Sequence, residues 1–380
     1  MDFSPTRDQQ KIQEKYRSFA EEEMVPVRSL HDREGTFPFR VMEKAWAQGI
    51  LNGPLPVKYG GAGYSFLDAS FASEEMGAGC LGMGITIDSH TLAFLPLLLS
   101  GDEDQKGRIF KDILENRLLG SFCLTEPGAG SDIGAVGSRA VRRGDRYILT
   151  GRKRFITNGE VAGFHTVFAK TDPEAGTRGI SAFHVPASLP GITMVSRLDK
   201  MGQRASVQNE IAYEEVEVPV ENRIGSEGSG FRTAMETFNR TRIAIAALSL
   251  GNARAAWEYA LRWARERVQF GKPITVQEGI SFKLAEMATE LEASRLLVRR
   301  AAWGMDQGDP SGGVFSSMAK YYATDAGMRI TQEAVQIMGG EGYSREFPVE
   351  KMMRDAKLSQ IYEGTNEIQK VIIARGILGG

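Results

Sequence analysis

The chain has 380 residues, 42% of them hydrophobic and 25% charged, with a formal net charge of −2. That length buries more than one core, so two or three subdomains are expected; the charges are interspersed, and without a basic stripe or polybasic arm neither nucleic acid nor anionic lipid is an expected partner. Cys80 and Cys123 stand in dissimilar surroundings with no CxxC or Cys/His cluster, which predicts no disulfide framework and no metal site and fits a reducing compartment.

The N-terminal stretch MDFSPTRDQQ has no basic region ahead of an apolar core and no Arg/Ser-rich transit character. A cytoplasmic location is expected, or the mitochondrial matrix for a processed eukaryotic chain. Ser4 followed by Pro5 predicts an N-cap with proline at the first helical position, and DEDQKGRIFKDILEN carries a 3.6-residue apolar period. TLAFLPLLLS is about half the length that crosses a bilayer and contains Pro96, so no membrane insertion is predicted. Residues 1–120 form the expected N-terminal helical domain.

From LGSFCLT onward the pattern alternates β-branched and polar residues between turns, with Gly144-Asp145 separating two strand-like runs. TVFAK, GISAFHV and GITMVS continue it, which predicts a central β-barrel-like domain over 121–230. Four helical segments follow, near 230–269, 276–307, 312–338 and 347–375. In the second, Ile280, Leu284, Met287, Leu291, Ser294 and Val298 share one stripe. Residues 231–380 therefore make a C-terminal four-helix bundle, and the fold class is α+β.

Several stretches suit chemistry. LTEPGAGSD, 124–132, offers free backbone N–H groups, room for close approach and the Ser131 hydroxyl, a combination that suits phosphate. It is not a Rossmann loop, because Ile133 occupies the third glycine position and the following residues look like strand. An ordinary glycine-rich turn fits the local pattern as well. In RFITNG, Phe155 and Thr157 share a strand face, which suits either a planar ligand or a half-buried strand end. Arg267 is accounted for by a solvated helix face, and Gln336 by a glycine-capped helix end.

Glu363, in LSQIYEGTNEIQ, lies between Ile361-Tyr362 and Gly364. Such a carboxylate is partly desolvated, which raises its pKa and makes it a competent base near neutral pH; a salt-bridged interhelical glutamate fits the same residues. Gly364 removes bulk beside it, and Thr365 or Asn366 caps the helix that restarts beyond.

TEPGAGSD, FITNG, DKMGQRAS, ERVQFGKPI, MGGEGY and MRDAKLSQIYEGTNEIQ together, in this order and spacing, resemble the acyl-CoA dehydrogenase family over essentially the whole chain. The resemblance implies a homotetramer with FAD held between subunits. It places Phe122, Leu124, Thr125, Gly130, Ser131, Phe155, Ile156 and Thr157 around the flavin and its pyrophosphate, with Thr157 near the N5 edge. Arg267, Phe270, Gln336 and Gly340 would reach the adenosine half of a neighbouring subunit's FAD, and Thr365 and Glu367 would contact FAD on the base's side. Ser131, Asn239, Arg242 and Gly364 match acyl-CoA contacts.

Glu363 matches the catalytic base of this family, which removes the α-proton of an acyl-CoA while flavin N5 takes the β-hydride to leave a trans-2-enoyl-CoA. An electron-transfer flavoprotein is the implied electron acceptor. One branch of the family carries its base beside an arginine on the first bundle helix; here Arg242 is preceded by Thr241, which points to the short- or medium-chain branch. Phe155 departs from the tryptophan of many relatives, and Glu278 stands where a flavin-contacting glutamine is frequent. GITIDSHTLAFLPLLL should lie near the acyl end, where Asp88 and His90 are expected as a helix cap and a polar edge, or Asp88 as a reader of a polar or cyclic acyl group. That stretch has no arginine, which disfavours a glutaryl-type substrate. A flavin oxidase or monooxygenase of the same fold and a non-catalytic CoA-binding scaffold are the alternatives.

Overall fold

Helix α1 (Arg7–Phe19) starts at Thr6 and not at Ser4. Thr6 places a glutamine at the third helical position: the Gln9 N–H donates to Thr6 Oγ1 at 3.3 Å, and the Thr6 N–H donates back to Gln9 Oε1 at 3.0 Å. At the same spacing from Ser4 stands Arg7, whose guanidinium cannot accept from a backbone N–H as the Gln9 amide oxygen does. The computed structural model describes residues 4–379, so the readings of residues 1–3 and of residue 380 lie outside the described residues.

After a π-helical turn (Ala20–Met24) come α2 (Arg28–Glu34), α3 (Phe39–Ala47), α4 (Phe66–Ser100) and α5 (Glu103–Glu115). Helix α4 is long and apolar enough to span a bilayer by composition, yet 78% of its most apolar window is buried in the protein. A helix apolar all round is a core helix when its neighbours cover it. Its path breaks at Cys80, whose backbone is extended. Cys80 and Cys123 are both buried free thiols.

The sheet comprises β1 (Gly120–Cys123), β2 (Arg139–Arg143), β3 (Arg146–Thr157), β4 (Phe164–Lys170), β5 (Ile180–Pro186), β6 (Ile192–Arg197), β7 (Gln208–Pro219) and β8 (Arg223–Ile224). Its order is β6-β7-β3-β2-β4-β5-β8, with β1 added parallel to β4. Arg143 pairs with Arg146 across the expected Gly144-Asp145 turn, where Gly144 takes a positive φ of 62°. Tyr147, Leu149, Val167, Phe183, Ile211 and Val216, from both halves of the strand order, share one buried cluster. The sheet thus encloses its own interior, while Phe164, Phe168 and Ile180 on the other face pack against α4 and α5.

Beyond α6 (Gly230–Glu266) and a short hairpin of β9 (Val268–Gln269) and β10 (Lys272–Pro273) lie α7 (Glu278–Asp306), α8 (Gly312–Met338), α9 (Gly340–Tyr343), α10 (Val349–Ser359) and α11 (Asn366–Leu378). The helix–sheet–bundle order matches the expected α+β fold. Leu284, Met287, Leu291, Ser294 and Val298 are buried on the anticipated α7 stripe. The fourth segment is divided between α10 and α11, and this division forms the site described below.

Helices α4 and α6 cross where both carry glycine. A Cβ on Gly77 would lie 2.0 Å from Leu248 O, and one on Gly251 would lie 1.9 Å from Glu74 O. Beside the crossing, the buried Glu74 and Glu75 are met by Arg254, Arg295 and Arg299. Since the obstacle at Gly251 is backbone, Gly251→Ala should destabilise the fold by about 1–3 kcal/mol or more. Equilibrium denaturation reads this directly, and a change under about 0.5 kcal/mol would show the crossing to be loose.

Candidate active site

Helix α10 ends at Ser359, where Ile361 and Tyr362 still donate to Leu358 O at 2.9 and 3.1 Å. The next two residues leave helical space: Glu363 has φ 52° and Gly364 φ 88°. Glycine adopts that conformation freely, whereas glutamate does so at a cost of roughly 1–2 kcal/mol. A Cβ on Gly364 would also sit 2.7 Å from Gln369 Nε2. Thr365 then caps α11, its hydroxyl accepting from Ile368 N at 3.4 Å, and the Asn366 N–H closes the turn on Gln360 O at 3.0 Å. The restart expected at Thr365 or Asn366 is observed with Thr365 as the cap.

This turn aims Glu363 at α6. Thr241 Oγ1 donates to Glu363 Oε2 at 2.7 Å. Arg242 Nε donates to the Glu363 carbonyl at 3.2 Å, and its Nη1 to Asn239 Oδ1 at 3.0 Å. The Glu363 side chain keeps partial access, yet surrounding protein strips most of its hydration. Burial raises its pKa to about 7; the Thr241 hydrogen bond, Arg242 and Lys320 oppose that rise. Arg242, itself buried, falls to about 10, while the Glu363 charge resists that fall. Among the described residues the Glu363 N–H has no acceptor, because the break removes it from the helical ladder.

Tyr362 is fixed from the side of the sheet domain. Its hydroxyl meets Gln203 Nε2 at 3.4 Å and Ser359 Oγ at 3.2 Å. The Gln203 N–H donates to Asp355, which is paired with Lys351, and Lys351 Nζ reaches Cys80 Sγ at 3.4 Å. The DKMGQRAS motif thus braces the residue next to Glu363 and links it to the break in α4.

Facing this cluster, the Phe122 ring lies 5.4 Å from that of Phe238, tilted by 58°, and the Arg242 guanidinium lies over Phe238 at 5.8 Å. The glycine-rich loop is anchored by Glu126, which pairs with the fully buried Lys153 at 2.6 Å and accepts from Gly137 N, Ser138 N and Ser138 Oγ. Thr125 is half-buried and Leu124 buried, while Gly130 and Ser131 are exposed; added Cβ atoms at Gly128 and Gly130 would meet nothing within 4 Å. A bulge between Lys153 and Ile156 gives Phe155 a φ of 58° and leaves its ring 56% exposed. Thr157 accepts from Gln208 Nε2 at 3.2 Å. Beyond the bulge the Ile156 side chain is buried in the sheet interior, which leaves its backbone to meet a ligand.

Arg267, Phe270, Gln336 and Gly340 do not join the cluster within one chain; they are exposed at the ends of α6 and α8 and on the β9–β10 hairpin. Glu278 is exposed at the start of α7, and Glu367 is exposed in the first turn of α11, below its ordinary pKa through its own backbone N–H and Thr365.

Neither residue in the acyl-end stretch has its expected cap or edge role. Asp88 lies in the interior of α4, because the helix begins at Phe66. Its Oδ2 is buried without a partner among the described residues, and burial, then the Glu363 charge, hold its carboxyl well above the usual range. His90 is fully buried, its Nδ1 accepting from Gly120 N at 3.2 Å, and burial drops it to about 3. Lys320, missed in the sequence, is buried on α8 and donates to Gly364 O at 3.0 Å and Asn366 Oδ1 at 2.9 Å. Its signal was a lysine at helical spacing with Ser316, Ser317, Thr324 and Thr331, all buried.

Family models match the chain in order: the acyl-CoA dehydrogenase N-terminal domain over 6–117, the middle domain over 121–216 and the C-terminal domain over 228–378. The chain is 42% identical to an acyl-CoA dehydrogenase of Bacillus subtilis over 99% of both chains. It is also 42% identical to cyclohex-1-ene-1-carbonyl-CoA dehydrogenase of Geobacter metallireducens over 98% of both. The solved butyryl-CoA dehydrogenase of Megasphaera elsdenii superposes with a TM-score of 0.97 at 40% identity, covering 100% of each chain. A desolvated carboxylate at a helix break, in a chain that matches these relatives from end to end, leaves one conclusion: the chain belongs to the acyl-CoA dehydrogenase family and is a flavoprotein oxidoreductase that dehydrogenates acyl-CoA thioesters.

Proposed function

We propose that Glu363 is the base that removes the α-proton of the acyl-CoA and that the flavin is FAD. The reading rests on one observation: a carboxylate raised to about 7 by burial, yet hydrogen-bonded by Thr241 and left partly accessible. Such a group is ionised often enough at neutral pH to act, and basic enough to take a weakly acidic proton. The free Glu363 N–H is a donor for the thioester oxygen as enolate-like charge develops there. Bound FAD supplies the acceptor for the β-hydride and its electron pair, and the product is a trans-2-enoyl-CoA. The residues present fit that group: the exposed Phe155 ring offers a flat face, and the unobstructed backbone at Gly128 and Gly130 admits a pyrophosphate.

Arg267, Phe270, Gln336 and Gly340 serve the adenosine half of the FAD of a neighbouring subunit in a homotetramer. Phe270 supports this: it is 93% exposed at the tip of a two-stranded hairpin, where none of the described residues covers it. Asn239, Arg242, Gly364 and Ser131 hold the CoA ester. Electrons leave singly to an electron-transfer flavoprotein.

The acyl end meets Asp88. This residue lines a cavity with Tyr16, Ile50, Tyr64, Thr91 and Leu248, where a neutral carboxyl has an unmatched polar atom among apolar walls. Butyryl-CoA and cyclohex-1-ene-1-carbonyl-CoA, named for two relatives, represent the straight and cyclic acyl groups that test this reading.

Glu363→Gln should retain flavin and acyl-CoA binding but lose about two to four orders of magnitude of anaerobic flavin bleaching; near-parental bleaching would refute the base. In the parent enzyme the bleaching rate should rise about tenfold per pH unit up to a pH of about 7 and then level, since the ionised carboxylate is the active form. A profile already flat at lower pH would contradict the raised pKa. Across straight, branched and cyclic acyl-CoAs, Asp88→Ala should change the order of preference, and an unchanged order would remove Asp88 from substrate reading.

A further inference from the structure

Lys320 is fully buried in the middle of α8, yet it forms no ion pair among the described residues. A buried ammonium without a carboxylate partner is costly, so its retention asks for a reason beyond packing. Its two hydrogen bonds go to the turn that carries Glu363: Gly364 O at 3.0 Å and Asn366 Oδ1 at 2.9 Å. The Asn366 amide is oriented for this contact, because its Nδ2 donates to Thr324 Oγ1 at 2.9 Å and Asp325 Oδ1 at 2.7 Å, leaving Oδ1 toward the ammonium. Arg242 holds the preceding carbonyl, that of Glu363. Two cations from two helices thus grip successive carbonyls of the left-handed pair.

We propose that Lys320 is a positioning residue for the base: it pins the Glu363–Gly364 turn through the Gly364 carbonyl and the Asn366 amide, and it places a buried cation beside the residue that carries the carboxylate. The inference rests on Glu363 being the base. The charged and titratable groups around the pair come from every neighbouring element: Arg242 on α6, Asp325 on α8 itself, Glu367 on α11, and Asp88 on α4 with Tyr362, which face Glu363. Burial lowers Lys320 to about 7, and the Glu363 anion is the largest influence resisting that fall. The two groups therefore titrate as a coupled pair, each favouring the charged form of the other.

The test is the pH dependence of kcat and of anaerobic flavin bleaching in the holoenzyme, with flavin content and circular dichroism as controls. Lys320→Gln keeps a donor and removes the charge. Its acid limb should move to higher pH, so that the rate at low pH falls about threefold or more relative to the alkaline plateau. Lys320→Arg should keep the limb near its parental position. An unmoved limb in Lys320→Gln, with only lower thermal stability, would make Lys320 a packing residue and overturn the inference. Asn366→Ala tests the pinning separately and survives a failure of the Lys320 variants to fold: it removes one of the two tethers of the ammonium while keeping the charge. Its plateau kcat should fall with the limb in place, and an unchanged plateau would overturn the pinning. Failure of the base assignment remains distinguishable, because Glu363→Gln would then still turn over, whatever the Lys320 variants do.

Discussion

The site depends on one interruption of a helix. If α10 continued into α11, the Glu363 N–H would bond the carbonyl of Ser359, and its side chain would follow the helical spiral. Instead Glu363 and Gly364 take positive φ, the N–H is released, and the carboxylate turns to Thr241. Left-handed backbone at glutamate is unfavourable by itself. It persists because donors occupy both carbonyls: Arg242 and Gln369 on that of Glu363, and Lys320 and Gln369 on that of Gly364. The strain is local, and the groups that hold it come from three helices.

The α4–α6 crossing extends the same constraint across the fold. Gly77 and Gly251 let these helices touch backbone to backbone, which fixes their spacing. Thr241 lies ten residues before Gly251, roughly 15 Å along α6, and Asp88 lies beyond Gly77 on α4, past the extended residue at Cys80. One contact thus sets the separation of the walls that bear the partner of the base and the unpaired carboxyl facing it. The ion cluster of Glu74 and Glu75 with Arg17, Arg254, Arg295 and Arg299 secures the crossing without entering the site.

Features that depend on near neighbours were legible in the sequence. The helix–sheet–bundle order follows from periodicity, the β2–β3 turn from Gly144-Asp145, and the α11 start from Thr365. The desolvation of Glu363 could be read from Ile361, Tyr362 and Gly364. Features that depend on distant pairing were not legible. Asp88 looked like a cap because its flanking residues suit one, yet the helix that contains it begins at Phe66. The inward turn of the Ile156 side chain depends on the bulge beside it, which no local pattern announced. Lys320 had only the small hydroxyl residues of its own helix face to mark it, and its acceptors lie 44 and 46 residues away. Ser4 lost the cap to Thr6 by the identity of a residue three positions on.

A base that works near neutral pH opposes the fold that holds it. Burial shifts Glu363 from an ordinary 4.5 to about 7, so the folded protein favours the protonated carboxyl. The sign follows directly: that contribution to stability is fully present below about 4.5 and is lost as the pH rises through about 7. A shift of that size corresponds to roughly 3 kcal/mol, a sizeable part of the net stability of a domain. Thr241, Arg242 and Lys320 all pull the other way. Were they stronger, the carboxylate would ionise without cost and be too weak a base; were they absent, it would stay protonated and idle. The basicity of Glu363 is therefore set by a balance between an apolar enclosure and a few fixed donors, and the helix break is what brings the two together.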